Sequence, residues 1–250
     1  MNSSLLKGYT AVITGCSRGI GKSILDNFTS NGANCIACIR KKNSEFENYC
    51  KDLSQKHNVK IDIVCFDFSQ RQEVIEGVKK IIAINKKIDV LVNNAGILFN
   101  SLFQMTSEKQ LKEIFEVNYF SHIYLTQLIS REMVKNKSGS IIFISSTSSK
   151  RNDVGRFAYS STKAAISSTS RVLAKELGTF KIRVNAICPG LTKTDMSKEN
   201  TRDDFMKEEI KKISLQRLAE TNEIADVAVF LASDLSTYVT GQDIIVDGGV

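Results

Sequence analysis

The chain has 250 residues, of which 42% are hydrophobic, so it can bury a full core as a single domain. Its 34 Lys and Arg residues and 27 Asp and Glu residues give a formal charge of +7. This modest excess is dispersed, and no basic stripe with stacking aromatics is present. Nucleic acid is therefore not expected as a partner, whereas an anionic ligand is compatible with the charge.

Six cysteines could form disulfides or bind a metal, but their positions argue against both. Four of them lie within or beside apolar runs, where a free thiol packs as a small hydrophobic group: Cys35, Cys38, Cys65 and Cys188. Cys35 and Cys38 are three residues apart, as in some metal sites, but no second such pair accompanies them. Since the chain also has only two histidines, we expect no metal site. Without a secretory leader or an apolar run of membrane-spanning length, a cytoplasmic protein with no membrane partner is expected.

Seven short apolar runs alternate with longer helical stretches along the chain. Near-continuous apolarity is typical of strands that are covered on both faces. The alternation predicts an α/β fold, a doubly wound parallel sheet of seven strands flanked by helices, in one domain over residues 1–250. The runs are 11–13, 35–39, 61–65, 88–92, 141–144, 182–187 and 244–246.

A glycine-rich segment from Thr14 to Gly21 follows the first run and opens a helical pattern. Its glycines allow a tight turn and a close approach of the backbone to a pyrophosphate, and the helix N-terminus adds unpaired N–H groups. A merely tight turn is the alternative. The segment predicts a Rossmann-type dinucleotide site whose contacts come from Gly15, Ser17, Arg18, Gly19, Ile20 and Gly21.

Arg40 ends the second run, at the position where NAD sites usually carry Asp or Glu. With Arg18 in the glycine loop, Arg40 suits the additional phosphate of NADPH. The alternative is an ordinary basic surface turn, since two lysines follow. We expect NADPH (NADP) to be preferred over NADH (NAD).

Tyr159 and Lys163 are four residues apart in a predicted helix and therefore share one face. An ammonium beside a phenol favours the phenolate and lowers its pKa from the usual value of about 10. Such a tyrosine can exchange a proton during hydride transfer. The pair could arise by chance, but Ser146 lies near the end of the preceding apolar run, and both an Asn-Asn-Ala-Gly turn and a Pro-Gly turn are present.

Residues 193–213 are charged and follow the Pro189-Gly190 turn. A solvated surface helix is one interpretation of this segment. A mobile lid over the substrate is the other, because lids need a hinge and a polar outer face.

In these motifs the chain resembles the classical short-chain dehydrogenase/reductase family, most closely the 3-oxoacyl-acyl-carrier-protein reductases of fatty-acid synthesis. The resemblance extends over essentially the whole chain. It implies that Tyr159 donates and accepts the proton, and that Ser146 hydrogen-bonds the substrate oxygen. Lys163 would acidify the phenol and bind the ribose, and Asn118 would hold a water that links Lys163 to solvent.

The resemblance also implies contacts to the two halves of the dinucleotide. Residues expected around the adenosine half are Asp67, Phe68, Asn94, Ala95 and Gly96. Asp67 would accept a hydrogen bond from the adenine amino group. Residues expected around the nicotinamide half are Pro189, Gly190, Thr192 and Thr194.

The substrate is the least determined part of the prediction. An acidic carrier protein should meet a basic patch. Lys137 falls where the carrier-protein reductases have an arginine, but Phe180 replaces a second basic residue, with Lys181 adjacent. Arg156 is a departure from the family pattern that would favour a carboxylate or phosphate, unless it faces solvent.

Two other functions therefore stay open beside 3-oxoacyl-acyl-carrier-protein reduction. One is oxidation or reduction of a sugar derivative or another small hydroxy or keto compound. The other is a dinucleotide sensor without catalysis, which would be expected to have lost Ser146, Tyr159 or Lys163. Members of this family commonly form tetramers, so the resemblance also implies a homotetramer.

Overall fold

The computed structural model describes residues 4–151, 153–200 and 203–250. Seven strands form one sheet in the order β3-β2-β1-β4-β5-β6-β7, and every neighbouring pair is parallel. The predicted doubly wound parallel sheet is thus confirmed. The strands are β1 (Thr10–Thr14), β2 (Asn34–Ile39), β3 (Ile61–Cys65), β4 (Val90–Asn93), β5 (Gly139–Ile144), β6 (Ile182–Pro189) and β7 (Asp243–Val246).

Helices connect the strands and cover both faces of the sheet. In the described part of the chain they are α1 (Gly19–Ser30), α2 (Ser44–His57), α3 (Arg71–Ile84), α4 (Glu108–Phe115), α5 (Ser121–Asn136), α6 (Ser148–Arg151), α7 (Phe157–Leu177), α8 (Asp195–Asn200), α9 (Asp203–Lys212) and α10 (Thr221–Ala232). A π-helical turn, Glu116–Phe120, joins α4 to α5. Across the described residues, no helix is long and apolar enough to span a bilayer.

The alternation of side chains along each strand supplies two cores, one on each face of the sheet. Ala11 and Ile13 of β1 pack with α1, α2 and α10, whereas Val12 packs on the opposite face with α3, α5 and α7. Both faces of the sheet are therefore buried, which explains why the strand sequences are apolar almost without interruption.

The sheet also determines where a ligand can bind. β1 lies at the centre, β2 and β3 extend to one side, and β4 to β7 extend to the other. The loops after β1 and β4 consequently diverge and leave a crevice at the carboxyl ends of these strands. In open parallel sheets, ligands usually bind in the crevice at the point where the strand order reverses.

Close packing of α3 on the sheet gives a test of the fold. A Cβ atom at Gly77 would lie 2.5 Å from Cδ1 of the buried Phe66 ring. We expect Gly77→Ala to lower the free energy of unfolding by up to about 2 kcal/mol, because overpacking costs about 1–3 kcal/mol and only about 1 kcal/mol returns as helix propensity.

Urea unfolding monitored by circular dichroism measures the effect. The matched control is Gly178→Ala, where a Cβ atom meets nothing within 4 Å, and its stability should be unchanged or slightly raised. Equal stability of the two variants would contradict the packing argument.

Candidate active site

A cavity of about 520 Å³ lies at the carboxyl ends of the strands. Its walls come from the loops that follow β1 to β6. The cavity brings together every predicted site residue except Asn118. Those lining it are Gly15, Ser17, Arg18, Gly19, Ile20, Gly21, Arg40, Asp67, Phe68, Asn94, Ala95, Gly96, Ser146, Arg156, Tyr159, Lys163, Pro189, Gly190, Thr192 and Thr194.

The glycine loop after β1 is a close backbone-to-backbone contact. Gly15 has a φ of +68°, and a Cβ atom there would lie 2.8 Å from Cα of Ala95. A Cβ atom at Gly21 would lie 2.2 Å from the carbonyl oxygen of Gly15. The loop therefore has no room for side chains at these two positions. It leads directly into α1, whose first N–H groups are the kind of donors that bind a pyrophosphate.

Thr14 fastens the glycine loop to the turn after β4. Its Oγ1 accepts hydrogen bonds from the backbone N–H groups of Asn94 at 2.9 Å and Ala95 at 3.0 Å, and donates to Val92 O at 3.2 Å. The Asn94 amide returns the contact by donating to Thr14 O at 2.9 Å and to Gly15 O at 3.1 Å. Sequence reasoning assigned Thr14 no role, although a threonine ending a buried apolar strand is a visible signal.

The end of the cavity near β2 and β3 combines acidic and basic groups. The Asp67 carboxylate accepts from Ser69 N at 2.8 Å, which fixes its orientation. Arg40 is exposed at the rim. Arg18 lies 3.8 Å from Asp195, and since both side chains are more than half exposed, this ion pair costs little to rearrange.

Near β5, α7 presents Tyr159 and Lys163 on one face, with the Lys163 Nζ atom 5.7 Å from the centre of the Tyr159 ring. The Lys163 side chain is buried, and its Nζ donates to Ile144 O at 2.8 Å. Burial disfavours the charged form and lowers the pKa of Lys163 to about 8. Burial of this ammonium is therefore costly, and the hydrogen bond to Ile144 O offsets only part of the cost.

The Tyr159 phenol does not have the lowered pKa that the sequence led us to expect. Burial raises its pKa, and this effect outweighs the hydrogen bond from Ser146 and the charge of Arg156, which both lower it. Ser146 Oγ accepts from Ser148 N at 3.1 Å, so its own proton is available to the phenol oxygen. Protein groups alone therefore hold Tyr159 as the neutral acid, and the opposing groups are Ser146 and Arg156.

Asn118 lies within the π-helical turn and is fully buried behind the cavity. Its side-chain oxygen accepts from Ile97 N at 2.9 Å, and its amide donates to Ile97 O at 2.9 Å. The side chain is thereby occupied in holding the segment after β4. The amide also lies 3.4 Å from Thr162 Oγ1, so both ends of the side chain have protein partners. Such π-turns are frequent at functional sites because they alter the direction of a helix side chain.

The loop after β6 supplies the remaining wall of the cavity. Thr192 is buried, donates from Oγ1 to Gly190 O at 3.1 Å, and pairs with Ala219. Thr194 Oγ1 accepts from Ser197 N at 3.1 Å. These contacts order the backbone of this loop, which lies against the glycine loop: a Cβ atom at Gly19 would lie 3.5 Å from Thr194 Cγ2.

His122 is a buried polar residue that sequence reasoning did not assign to the site. Its Nε2 lies 2.6 Å from Ala95 O, and its Nδ1 lies 3.1 Å from the Asn93 side chain. Burial and the charge of Lys163 lower the pKa of His122 to about 3, so the ring is neutral at physiological pH. The ring supports the turn that Thr14 holds from the other side. The sequence contained no signal for this role.

Candidate metal ligands are not clustered in the part of the chain that the structure describes. No group of three or more His, Cys, Asp or Glu side chains is placed to hold an ion there. The six cysteines are free.

The cavity, with its side-chain-free glycine loop and its buried Ser146, Tyr159 and Lys163 group, fits a dinucleotide beside a reacting carbonyl. A sequence profile described as enoyl-(acyl carrier protein) reductase matches residues 15–250. The chain belongs to the short-chain dehydrogenase/reductase family. It is an oxidoreductase that acts on carbonyl or hydroxyl groups, and its family binds NAD(P).

Several relatives resemble this chain over nearly its full length. The 3-oxoacyl-[acyl-carrier-protein] reductase of Chlamydia muridarum is 39% identical over 248 residues, 99% of each chain. The solved 3-oxoacyl-[acyl-carrier protein] reductase of Brucella melitensis has a TM-score of 0.91 and 28% identity, covering 99% of this chain and 92% of that one. The L-sorbose reductase of Gluconobacter frateurii, solved with NADPH and L-sorbose, has a TM-score of 0.91 and 28% identity, covering 99% and 98%.

The buried ammonium of Lys163 predicts a pH dependence of stability. Its pKa is about 8 in the folded protein and 10.5 ordinarily, so the unfolded chain binds more protons between these values and stability rises with pH across that window. Relative to Lys163→Met, we expect the free energy of unfolding of the unaltered protein to increase by about 3 kcal/mol at most between pH 7 and about 10.5.

Urea unfolding at several pH values provides the measurement, because subtracting the variant removes other titrating groups. Lys51→Met, at an exposed position, is the control and should show no such window. A difference that stays flat or falls with pH would contradict the burial argument.

Proposed function

We propose that this protein is an NADPH-dependent 3-oxoacyl-acyl-carrier-protein reductase that forms the 3-hydroxyacyl product. One observation carries the proposal: Ser146, Tyr159 and Lys163 meet in a cavity that also contains the glycine loop. The chain is moreover 39% identical, over 99% of its length, to a protein named for this reaction.

In the proposed reaction the nicotinamide, when bound, supplies the hydride. Tyr159 gives its proton to the substrate oxygen, and its raised pKa in the protein suits the role of an acid. Ser146 hydrogen-bonds the same oxygen. Lys163 contributes positive charge beside the phenol and binds the ribose hydroxyls, and the backbone of Asn118 holds a water behind it.

The remaining predicted residues hold the dinucleotide. The glycine loop, with Ser17 and Ile20, accommodates the pyrophosphate at the start of α1. Asp67 accepts from the adenine amino group beside Phe68, and the Asn94–Gly96 turn lines the ribose. Beyond Pro189 and Gly190, the Thr192 backbone meets the carboxamide and Thr194 a cofactor oxygen.

An acidic carrier protein is the proposed source of the substrate, which the name of the 39% identical relative supports. The basic residues expected to meet it, Lys137 and Lys181, precede β5 and β6 and therefore lie at the amino ends of these strands, at the opposite edge of the sheet from the cavity. Lys137 is exposed at the end of α5, and Lys181 is exposed before β6. Phe180, beside it, is 38% exposed and leaves Lys181 to provide the second charge.

Assembly, compartment and lid form a further part of the proposal. A homotetramer would cover apolar side chains such as Phe120, which is 41% exposed, and Ile245, which is 49% exposed. Six free cysteines suit a reducing cytoplasm.

Residues 193–213 serve as the lid, of which residues 201 and 202 lie outside the described part of the chain. Arg151 contacts the lid through the Glu209 carboxylate, at 3.0 Å.

A second candidate function is reduction of a small keto compound such as a keto sugar. The similarity to the L-sorbose reductase structure favours it. Substrate assays separate the two candidates.

Arg40 is the residue on which the preference for NADPH depends in this proposal. Arg40→Asp should raise the KM for NADPH about 10-fold or more and shift the preference toward NADH, since a cation that can bind a phosphate becomes a carboxylate that repels it. Steady-state kinetics with both cofactors measure the shift. Lys41→Asp makes the same charge change at the next exposed residue, and an equal effect there would reduce the result to general electrostatics.

Removing the phenol hydroxyl tests the proposed reaction itself. With a 3-oxoacyl thioester of an acyl-carrier protein, NADPH oxidation should proceed in the unaltered protein and fall about 10²- to 10⁴-fold in Tyr159→Phe, because the proton donor is lost. NADPH binding, followed by fluorescence, should persist. Tyr238→Phe, at a fully exposed tyrosine, should be as active as the unaltered protein. Activity restricted to keto sugars would overturn the proposal in favour of the second candidate.

A further inference from the structure

Arg156 is a positive charge at the substrate end of the cavity. It immediately precedes α7, three residues before Tyr159, and both residues line the cavity. Its side chain is only 17% exposed, so most of the water around the guanidinium has been removed. Its charge lowers the pKa of the Tyr159 phenol, which places the two groups within electrostatic reach of each other.

The contacts of this guanidinium are long. Nη1 lies 3.5 Å from Ser148 Oγ and 4.0 Å from the Asp153 carboxylate. Charge-assisted hydrogen bonds of this kind normally measure about 2.7–2.9 Å. Arg156 therefore retains donor capacity that its neighbours use poorly.

Asp153 cannot neutralise Arg156 fully because it also faces a second guanidinium. Arg151 lies 3.9 Å from the same carboxylate. Arg151 is held more closely by Glu209, at 3.0 Å, and does not line the cavity. One carboxylate thus lies loosely between two arginines, and only Arg151 has a close partner of its own.

Of the other acidic residues on the cavity wall, two have partners away from Arg156. Asp67 accepts from Ser69 N after β3, and Asp195 faces Arg18 at 3.8 Å. Glu113 is exposed on α4. On the substrate side the nearest named cations are Arg156 and the buried Lys163. A neutral thioester would use hydrogen bonds from this region but would not balance its charge.

We propose that Arg156 binds the carboxylate of a free oxo acid, so that the same site reduces 3-oxocarboxylates as well as thioesters. The inference rests on the proposed function, since it uses the same cofactor and the same Tyr159. In a 3-oxoacyl thioester and in the free 3-oxo acid, the C1 group lies at the same distance from the reacting carbonyl. Replacing the thioester by a carboxylate keeps an acceptor there and adds the charge that a guanidinium binds in bidentate fashion.

The chemical step is the same for both substrates. The ketone carbon gains a hydride and its oxygen gains the Tyr159 proton, so the C=O double bond becomes a secondary alcohol. The nicotinamide is oxidised by loss of that hydride, and Tyr159 recovers a proton from water. The carboxylate neither gains nor loses a bond.

The experiment compares two probes of nearly the same size and shape, the charged acetoacetate and the neutral acetoacetamide, with an acetoacetyl thioester as reference. The unaltered protein should reduce acetoacetate with the higher kcat/KM of the pair. Arg156→Gln, which keeps polar contacts but removes the charge, should lower kcat/KM for acetoacetate about 10- to 100-fold. The loss on acetoacetamide should be clearly smaller.

Arg151→Gln is the matched control, since it removes a neighbouring guanidinium that does not line the cavity, and it should keep the preference for acetoacetate. NADPH binding by fluorescence confirms that each variant is folded. If the unaltered protein reduces the thioester but treats the two probes alike, the inference fails and the proposed function stands. If acetoacetate is preferred but the thioester is not reduced, the proposed function fails instead. Equal losses on both probes in Arg156→Gln would also overturn the inference.

Discussion

The hydroxyl group of Thr14 connects the two loops on which the cavity depends. In this parallel sheet the strand order reverses next to β1, which leaves a crevice between the loops after β1 and β4. The crevice becomes a defined site only if these two loops are held in place. Thr14 fixes them by binding the backbone of Asn94 and Ala95 while its own strand leads into the glycine loop. Gly15 and Gly21 then allow the backbones to touch. The geometry of the glycine-loop end of the cavity follows from these few contacts.

The opposite end of the cavity is organised by buried charge. Lys163 and Arg156 are both largely withdrawn from water beside Tyr159, and neither has a close carboxylate partner among the contacts described. Uncompensated burial of this kind lowers stability, which is a familiar cost of functional sites. The phenol, by contrast, stays protonated because its charged form would be buried as well. Burial thus lowers the pKa of Lys163 and raises the pKa of Tyr159, because in each residue it disfavours the charged form.

Much of the fold could be predicted from the sequence because both signals involved are local. Strands buried on two faces must be apolar throughout, and a glycine loop between a strand and a helix has a specific geometric purpose. Side-chain partners found only in three dimensions could not be predicted. His122 supports Ala95 from a helix far along the chain, and the amide of Asn118 is occupied by Ile97. The predicted direction of the Tyr159 pKa shift was wrong for the same reason, since the shift depends on burial of the phenol in the folded chain.

The order of the strands has a consequence for how the protein is made. β1, β2 and β3 are adjacent both in the sequence and in the sheet, so the first part of the chain can assemble as it leaves the ribosome. The central strand β1 nevertheless keeps an open edge until β4 has been synthesised. The wall after β6 comes later still. A nascent chain therefore holds the glycine loop well before it holds Tyr159, and the cavity is complete only after β6 and the loop that follows it have been synthesised.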